Sequence, residues 1–121
     1  MSKNSNNKIY DLEERSFQFA KEIRLFIKTL KKSIANIEDT KQLVRSSGSV
    51  GANYIETNES LSKKDFVYRV KISRKEAKES GYWLRLINET NQLDNKNIAE
   101  KLIQESIELK KIFSAIIEKS Q

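Results

Sequence analysis

The chain is 121 residues long, 37% hydrophobic and 33% charged, with 23 basic and 17 acidic residues giving a net charge of +6. It contains no Cys and no His, which removes disulfides, thiolate chemistry, the usual zinc ligand and the usual general base. No apolar run approaches the roughly 18 residues of a membrane span, so a cytoplasmic protein of one domain, with no membrane association and no cofactor, is expected.

Residues 1–10 are polar with no apolar run behind them, and read as a disordered tail rather than a signal peptide. A first helix is predicted over about residues 11–32. Asp11 can cap it with Glu14 three residues on, and Phe19, Ile23, Phe26 and Leu30 form its apolar row. Ser33 to Asn36 reads as a connection, and a second helix runs over about 38–60 with Glu38 and Asp39 at its start. Its core row is Leu43, Val44, Ser47, Val50, Gly51, Tyr54 and Ile55. Ser62 with Asp65 caps a third helix over about 63–91. There Phe66, Val70, Ser73, Ala77, Ser80, Leu84 and Ile87 alternate in steps of four and three, a heptad-like seam with small residues in its middle. Asp94 or Asn95 begins a fourth helix over about 95–119, with Ile98, Leu102, Leu109, Ile112, Phe113, Ile116 and Ile117 inward. The fold expected is an all-α, antiparallel, up-down-up-down four-helix bundle over residues 11–119.

The string from Leu43 to Glu56 looks locally like a loop, since it holds Ser46-Ser47-Gly48-Ser49 and then Gly51. In a chain of helices its small residues take helical spacing instead: Ser47 lies four before Gly51, and Gly48 four before Ala52. Gly inside a helix costs about 0.8–1 kcal/mol relative to Ala, so close approach of a neighbour is its natural compensation. The neighbour expected is the third helix, through Ser73, Ala77 and Ser80. Gly48 and Gly51 are no phosphate loop, because the Lys-Ser/Thr ending and the preceding strand are missing.

The third helix carries eight basic and four acidic residues, a net +4. Lys64, Tyr68, Lys71, Lys75, Lys78, Tyr82 and Arg85 follow four-three spacing on a face turned away from the core seam, with Arg74 beside them. A basic stripe with interleaved aromatics can track a phosphate backbone and offer stacking platforms. The same pattern also describes a solvated face whose Lys stems and Tyr rings cover core edges. Arg45, Asn53, Glu56, Asn58 and Glu76 are read as a hydrogen-bonded network fixing helix register, or else as a partner contact site. Trp83 and Leu86 lie off the seam as an apolar pair, a candidate subunit interface. No catalytic constellation or small-molecule site stands out, and the chain is expected not to be an enzyme.

The strings Tyr10-Asp11-Leu12-Glu13-Glu14-Arg15, Ile34 to Asp39 and, above all, Gln42 to Glu56 resemble a bacterial family of four-helix bundles. These bundles are encoded in intervening sequences of 23S ribosomal RNA genes. Ser62-Lys63-Lys64-Asp65-Phe66, Arg74 to Ser80 and Tyr82-Trp83-Leu84-Arg85 are similar to its third-helix signature. The resemblance spans about residues 9–118, with Thr40 standing where Gly is common. It implies an antiparallel bundle assembling as a ring-like homopentamer, with no settled biochemical activity. The chain is also similar to the accessory variability determinant of diversity-generating retroelements, a basic pentamer that binds nucleic acid and a reverse transcriptase. That likeness implies RNA or DNA as a partner. The alternative is a structural module that binds an unknown protein.

Overall fold

The computed structural model describes residues 12–94 and 96–121; the expected tail and the caps at Asp11 and Asn95 lie outside them. Among the described residues there are four α-helices and no strand: α1 Leu12–Ile27, α2 Ile34–Glu56, α3 Lys63–Thr90 and α4 Lys96–Lys119. A single 3-10 turn, Thr57–Glu59, follows α2. Each helix packs on its neighbour in the chain and α1 closes against α4, most extensively where α3 meets α2 and α4. This packing is compatible with the up-down-up-down arrangement.

Local chemistry sets the helix ends. Helix α1 stops at Ile27, short of the expected residue 32, and Thr29 Oγ donates to the Phe26 carbonyl at 2.7 Å beyond it. Such a side-chain bond competes with continuation of the helical ladder. Helix α2 starts four residues earlier than expected. Ser33 sits in extended backbone and accepts a bond from the Asn36 amide at 3.1 Å, so this serine is the N-cap. Ser62 caps α3 as predicted, accepting from the Asp65 amide at 3.0 Å, while Asp65 Oδ2 reaches back to the Leu61 amide at 3.2 Å. Asn36 and Asn91 exchange side-chain amide bonds of 2.8 and 3.0 Å, tying the start of α2 to the end of α3.

The core is a continuous column of Leu, Ile, Val and Phe from all four helices, including Leu12, Phe19, Leu43, Val70, Leu84, Leu109 and Phe113. The α3 seam is buried as its spacing predicted, apart from half-buried Phe66. On α2 and α4 the apolar rows are wider than the core they serve, and Ile55 and Ile98 are exposed. Small residues fill the places that large ones leave. Ser16, Ser46, Ala99 and Ser106 are all buried, although a hydrophobic pattern gives no hint of the three serines.

The glycine strip faces a different neighbour from the one expected. A Cβ on Gly51 would lie 3.2 Å from Ser16 Cβ, and one on Gly48 would lie 3.1 Å from Arg24 Nη2; both contacts belong to α1. Ala52, expected in the same strip, is exposed. The α2–α3 seam runs one position earlier. Ser46 and Ser80 hydroxyls lie 2.9 Å apart, Ser80 donates to the Glu76 carbonyl at 2.9 Å, and Ser73 donates to the Val50 carbonyl at 2.9 Å. Ser46 also reaches the Leu43 carbonyl at 3.4 Å, so either hydroxyl can donate in the Ser46–Ser80 bond. Gly81 plays the matching part toward α4: a Cβ there would stand 2.6 Å from Ser106 Oγ. It leaves α3 unbroken.

These two α2 glycines differ in what a side chain would displace. Gly51→Leu forces α1 from α2 and should cost about 1–3 kcal/mol by overpacking. Gly48→Ala meets only the far end of the Arg24 side chain, which must shift slightly against its bonds to the Ala20 and Val44 carbonyls, and it gains helix propensity, so its stability should stay within about 1 kcal/mol of the unaltered protein. Urea denaturation of both variants checks the pair. Equal losses at the two positions would contradict this assignment of the α1–α2 contact.

Candidate nucleic-acid interface

Burying Val70, Ser73, Ala77, Ser80, Leu84 and Ile87 fixes the rotation of α3 and turns its opposite face outward. Lys64, Tyr68, Lys71, Lys75, Lys78, Tyr82 and Arg85 are all exposed on that face. Tyr68 is 60% and Tyr82 57% accessible, unusually open for rings of this size. Of these cations, Arg85 lies 3.5 Å from Glu89 in an exposed pair worth little in water. Arg74 stands apart from the others: it is half-buried and donates to Ser114 Oγ on α4 at 3.2 Å.

The stripe borders two shallow grooves. One, of about 560 Å³, lies between the first turns of α3 and the chain's end, and Lys64, Val67, Tyr68, Lys71 and Gln121 line it. The other, of about 260 Å³, is lined by Lys78, Tyr82, Arg85, Ile103, Ile107 and Lys110. Lys110 joins the basic face from α4, and sequence reasoning on α3 alone missed it. Its signal is the row Ile103, Ile107, Lys110 and Ser114, which flanks the α4 core row at helical spacing.

The polar residues grouped in the sequence fall into separate clusters. Arg45 reaches across to α3, with Nη1 at 3.4 Å from Glu76 and Nη2 at 2.5 Å from Glu79. Glu76 is only 6% exposed. Asn53 holds the Ser49 carbonyl and hydroxyl and accepts from Arg69 at 3.2 Å. Asn58 donates to Glu13 on α1 at 2.9 Å, and Glu56 is exposed on its own. A fourth bridge, unforeseen, joins α1 to α4: Arg15 makes a two-pronged contact with Glu105 at 2.6 and 2.9 Å.

Trp83 and Leu86 are half-buried, not an exposed apolar pair. Trp83 packs on the core cluster, stands edge-on to Tyr82 with ring centres 5.0 Å apart, and donates its indole N–H to Glu79 at 3.0 Å. Burial pushes the Glu79 carboxyl up, but the bonds from Trp83 and Arg45 and the charges of Arg45 and Lys75 outweigh it. The group ends below its ordinary value.

This geometry defines a class: an all-α four-helix protein whose third helix is buried along one seam and shows a basic, tyrosine-bearing face to solvent. The chain belongs to the 23S rRNA-intervening sequence protein family, whose model matches residues 8–115. A crystal structure from Bacteroides thetaiotaomicron is similar to it, with a TM-score of 0.76 and 32% identity over 88% of this chain and 97% of that one. That protein is described as one of unknown function from the S23 ribosomal protein family. No curated protein matches the sequence. Among the described residues, no helix is long and apolar enough to cross a membrane.

A depressed carboxyl stabilises the fold above its unfolded value, and that contribution is lost as pH falls through the folded one. Stability should therefore drop on acidification below about pH 4.3, the ordinary Glu range. Glu79→Gln should flatten that part of the profile, measured as urea midpoint against pH. A profile identical to that of the unaltered protein would remove Glu79 from the acid transition.

Proposed function

We propose that this protein is a non-enzymatic, antiparallel four-helix bundle that binds RNA or DNA through the basic face of α3. The observation that carries this reading is the exposed row from Lys64 to Arg85, in which Tyr68 and Tyr82 are open and most cations have no ion-pair partner within 4.0 Å among the described residues. Cations spread along one helix supply contacts to phosphates, which position a strand without reading its sequence. Counterion release makes such binding strongly salt-dependent. The family's name, which concerns an RNA gene insertion, is consistent with a nucleic-acid partner and specifies none.

In the protein-interaction alternative, the pair first offered as an anchor, Trp83 and Leu86, is half-buried, and Trp83 is bonded to Glu79. Exposed apolar side chains lie elsewhere. Phe17 on α1 and Ile55 on α2, 60% and 49% accessible, flank the Gly51 contact and suit self-association. A homo-oligomer, pentameric by family likeness, fits with the basic faces repeated around it. Repetition raises affinity for a long strand through effective concentration.

Affinity for a structured RNA should fall linearly on a logarithmic salt axis. A Lys71, Lys75 and Lys78 to Glu triple variant should bind more weakly and lose about three units of that slope. Absence of binding at low salt, or an unchanged triple variant, overturns the reading. Native mass spectrometry of protein purified without nuclease should show a five-copy assembly carrying nucleic acid. A strictly monomeric mass rules out the ring.

A further inference from the structure

The basic face contains an internal repeat. Lys64, Tyr68 and Lys71 stand at steps of four and three; Lys78, Tyr82 and Arg85 repeat the same types at the same steps, each 14 residues later. Fourteen residues of α-helix rise about 21 Å. They lag about 40° behind a strict seven-residue period, so both sets stay on one side of α3. Each set also lines its own groove, the first bounded by Ser120 and Gln121 just past α4 and the second by α4 itself, and each has apolar surface beside its tyrosine: Val67 of α3 in the first, Ile103 and Ile107 of α4 in the second. Ile107 remains 36% exposed, which leaves that wall open to a ligand.

From this repetition we propose that the basic face of α3 carries two related subsites for single-stranded nucleic acid, each seating one base against its tyrosine with phosphates on the flanking cations. The proposal rests on the basic-face reading above and narrows it to a strand type and a footprint. Duplex DNA or RNA presents phosphates but keeps its bases stacked inside, so the tyrosines and apolar walls would find no partner there. A single strand offers both, and stacking on an aromatic is tolerant of sequence because every base has a π-face. The spacing sets the footprint: about 21 Å corresponds to about six nucleotides at the 3.4 Å rise of a stacked strand. Arg85 must exchange Glu89 for a phosphate, which its exposed pairing permits. Lys110 closes the second subsite from the α4 side.

The test compares three probes by fluorescence anisotropy: a mixed-sequence single-stranded RNA of 12 nucleotides, the same sequence as a duplex, and heparin as a base-free polyanion. Tyr68→Ala and Tyr82→Ala should each weaken single-strand binding about five- to hundred-fold, the size of a lost base stack, and leave duplex and heparin binding unchanged. Tyr→Phe at either position should restore the single-strand affinity. Strands of four nucleotides should bind far more weakly than strands of eight, because only the longer ones reach both tyrosines. Trp83, the sole tryptophan and in contact with Tyr82, should report filling of the second subsite by a change in emission that Tyr82→Ala abolishes. If all three probes bind and the tyrosine variants lose nothing, the subsites are overturned while the basic face stands. If the duplex binds as tightly and is as sensitive to the tyrosines, the single-strand assignment fails. If no probe binds, the underlying reading fails as well.

Discussion

The bundle depends on close approach at three seams, and each seam is made by small residues meeting. Ser16 meets Gly51 between α1 and α2, Ser46 meets Ser80 between α2 and α3, and Gly81 meets Ser106 between α3 and α4. A Cβ added at either of these glycines would already crowd its partner, at 3.2 and 2.6 Å. The α2–α3 seam solves a second problem. Buried serines need partners, and Ser46, Ser80 and Ser73 satisfy one another or nearby carbonyls across or within the helices. Both ingredients lower the hydrophobic content that the core requires, which is how a chain of 37% hydrophobic residues still builds a packed interior.

Helix α3 is where packing and surface chemistry become one constraint. Like α2, it has small-residue seams on two sides, and those seams determine which third of its circumference is left for solvent. With Ser73, Ala77 and Ser80 buried, Lys71, Lys75 and Lys78 must face outward, because they lie opposite the buried positions on the helical wheel. Arg45 adds a restraint at the edge of this arrangement. It bridges Glu76 and Glu79 on α3, and Glu79 in turn holds the Trp83 indole beneath Tyr82. The open ring of Tyr82 is thus supported from below by a fixed partner.

Where the sequence was legible, the reason is periodicity. The α3 seam, the Ser62 cap and the outward stripe all follow from steps of three and four and one capping pair, and the structure places them accordingly. The glycine strip shows what periodicity leaves open. Spacing puts Ser47, Gly48 and Gly51 on one α2 face without saying which of two neighbouring helices that face meets; the contacts at Ser16 and Arg24 decide for α1. Three buried serines and the ion pair of Arg15 with Glu105 had no signal at all, since Ser and Arg are ordinarily surface residues. The half-burial of Trp83 was unforeseen for a related reason. Its position lies off the apolar seam, yet the indole has both a core-facing body and a polar N–H, and Glu79 one turn earlier satisfies the latter.

Gly81 links the core to the proposed subsites most directly. It lies between Lys78 and Tyr82, inside the second copy of the repeat, and its missing side chain lets α4 come close enough for Ile103 and Ile107 to wall the groove. Gly in mid-helix is a weak point, and a kink there would swing the second tyrosine out of line with the first. The helix nevertheless runs unbroken from Lys63 to Thr90. Contact with Ser106 on one side and the Ser46–Ser80 bond one residue earlier hold it straight. A fixed interval of about 21 Å between Tyr68 and Tyr82 is therefore a consequence of how the interior is packed, and a binding face with that interval does not have to be ordered by its ligand.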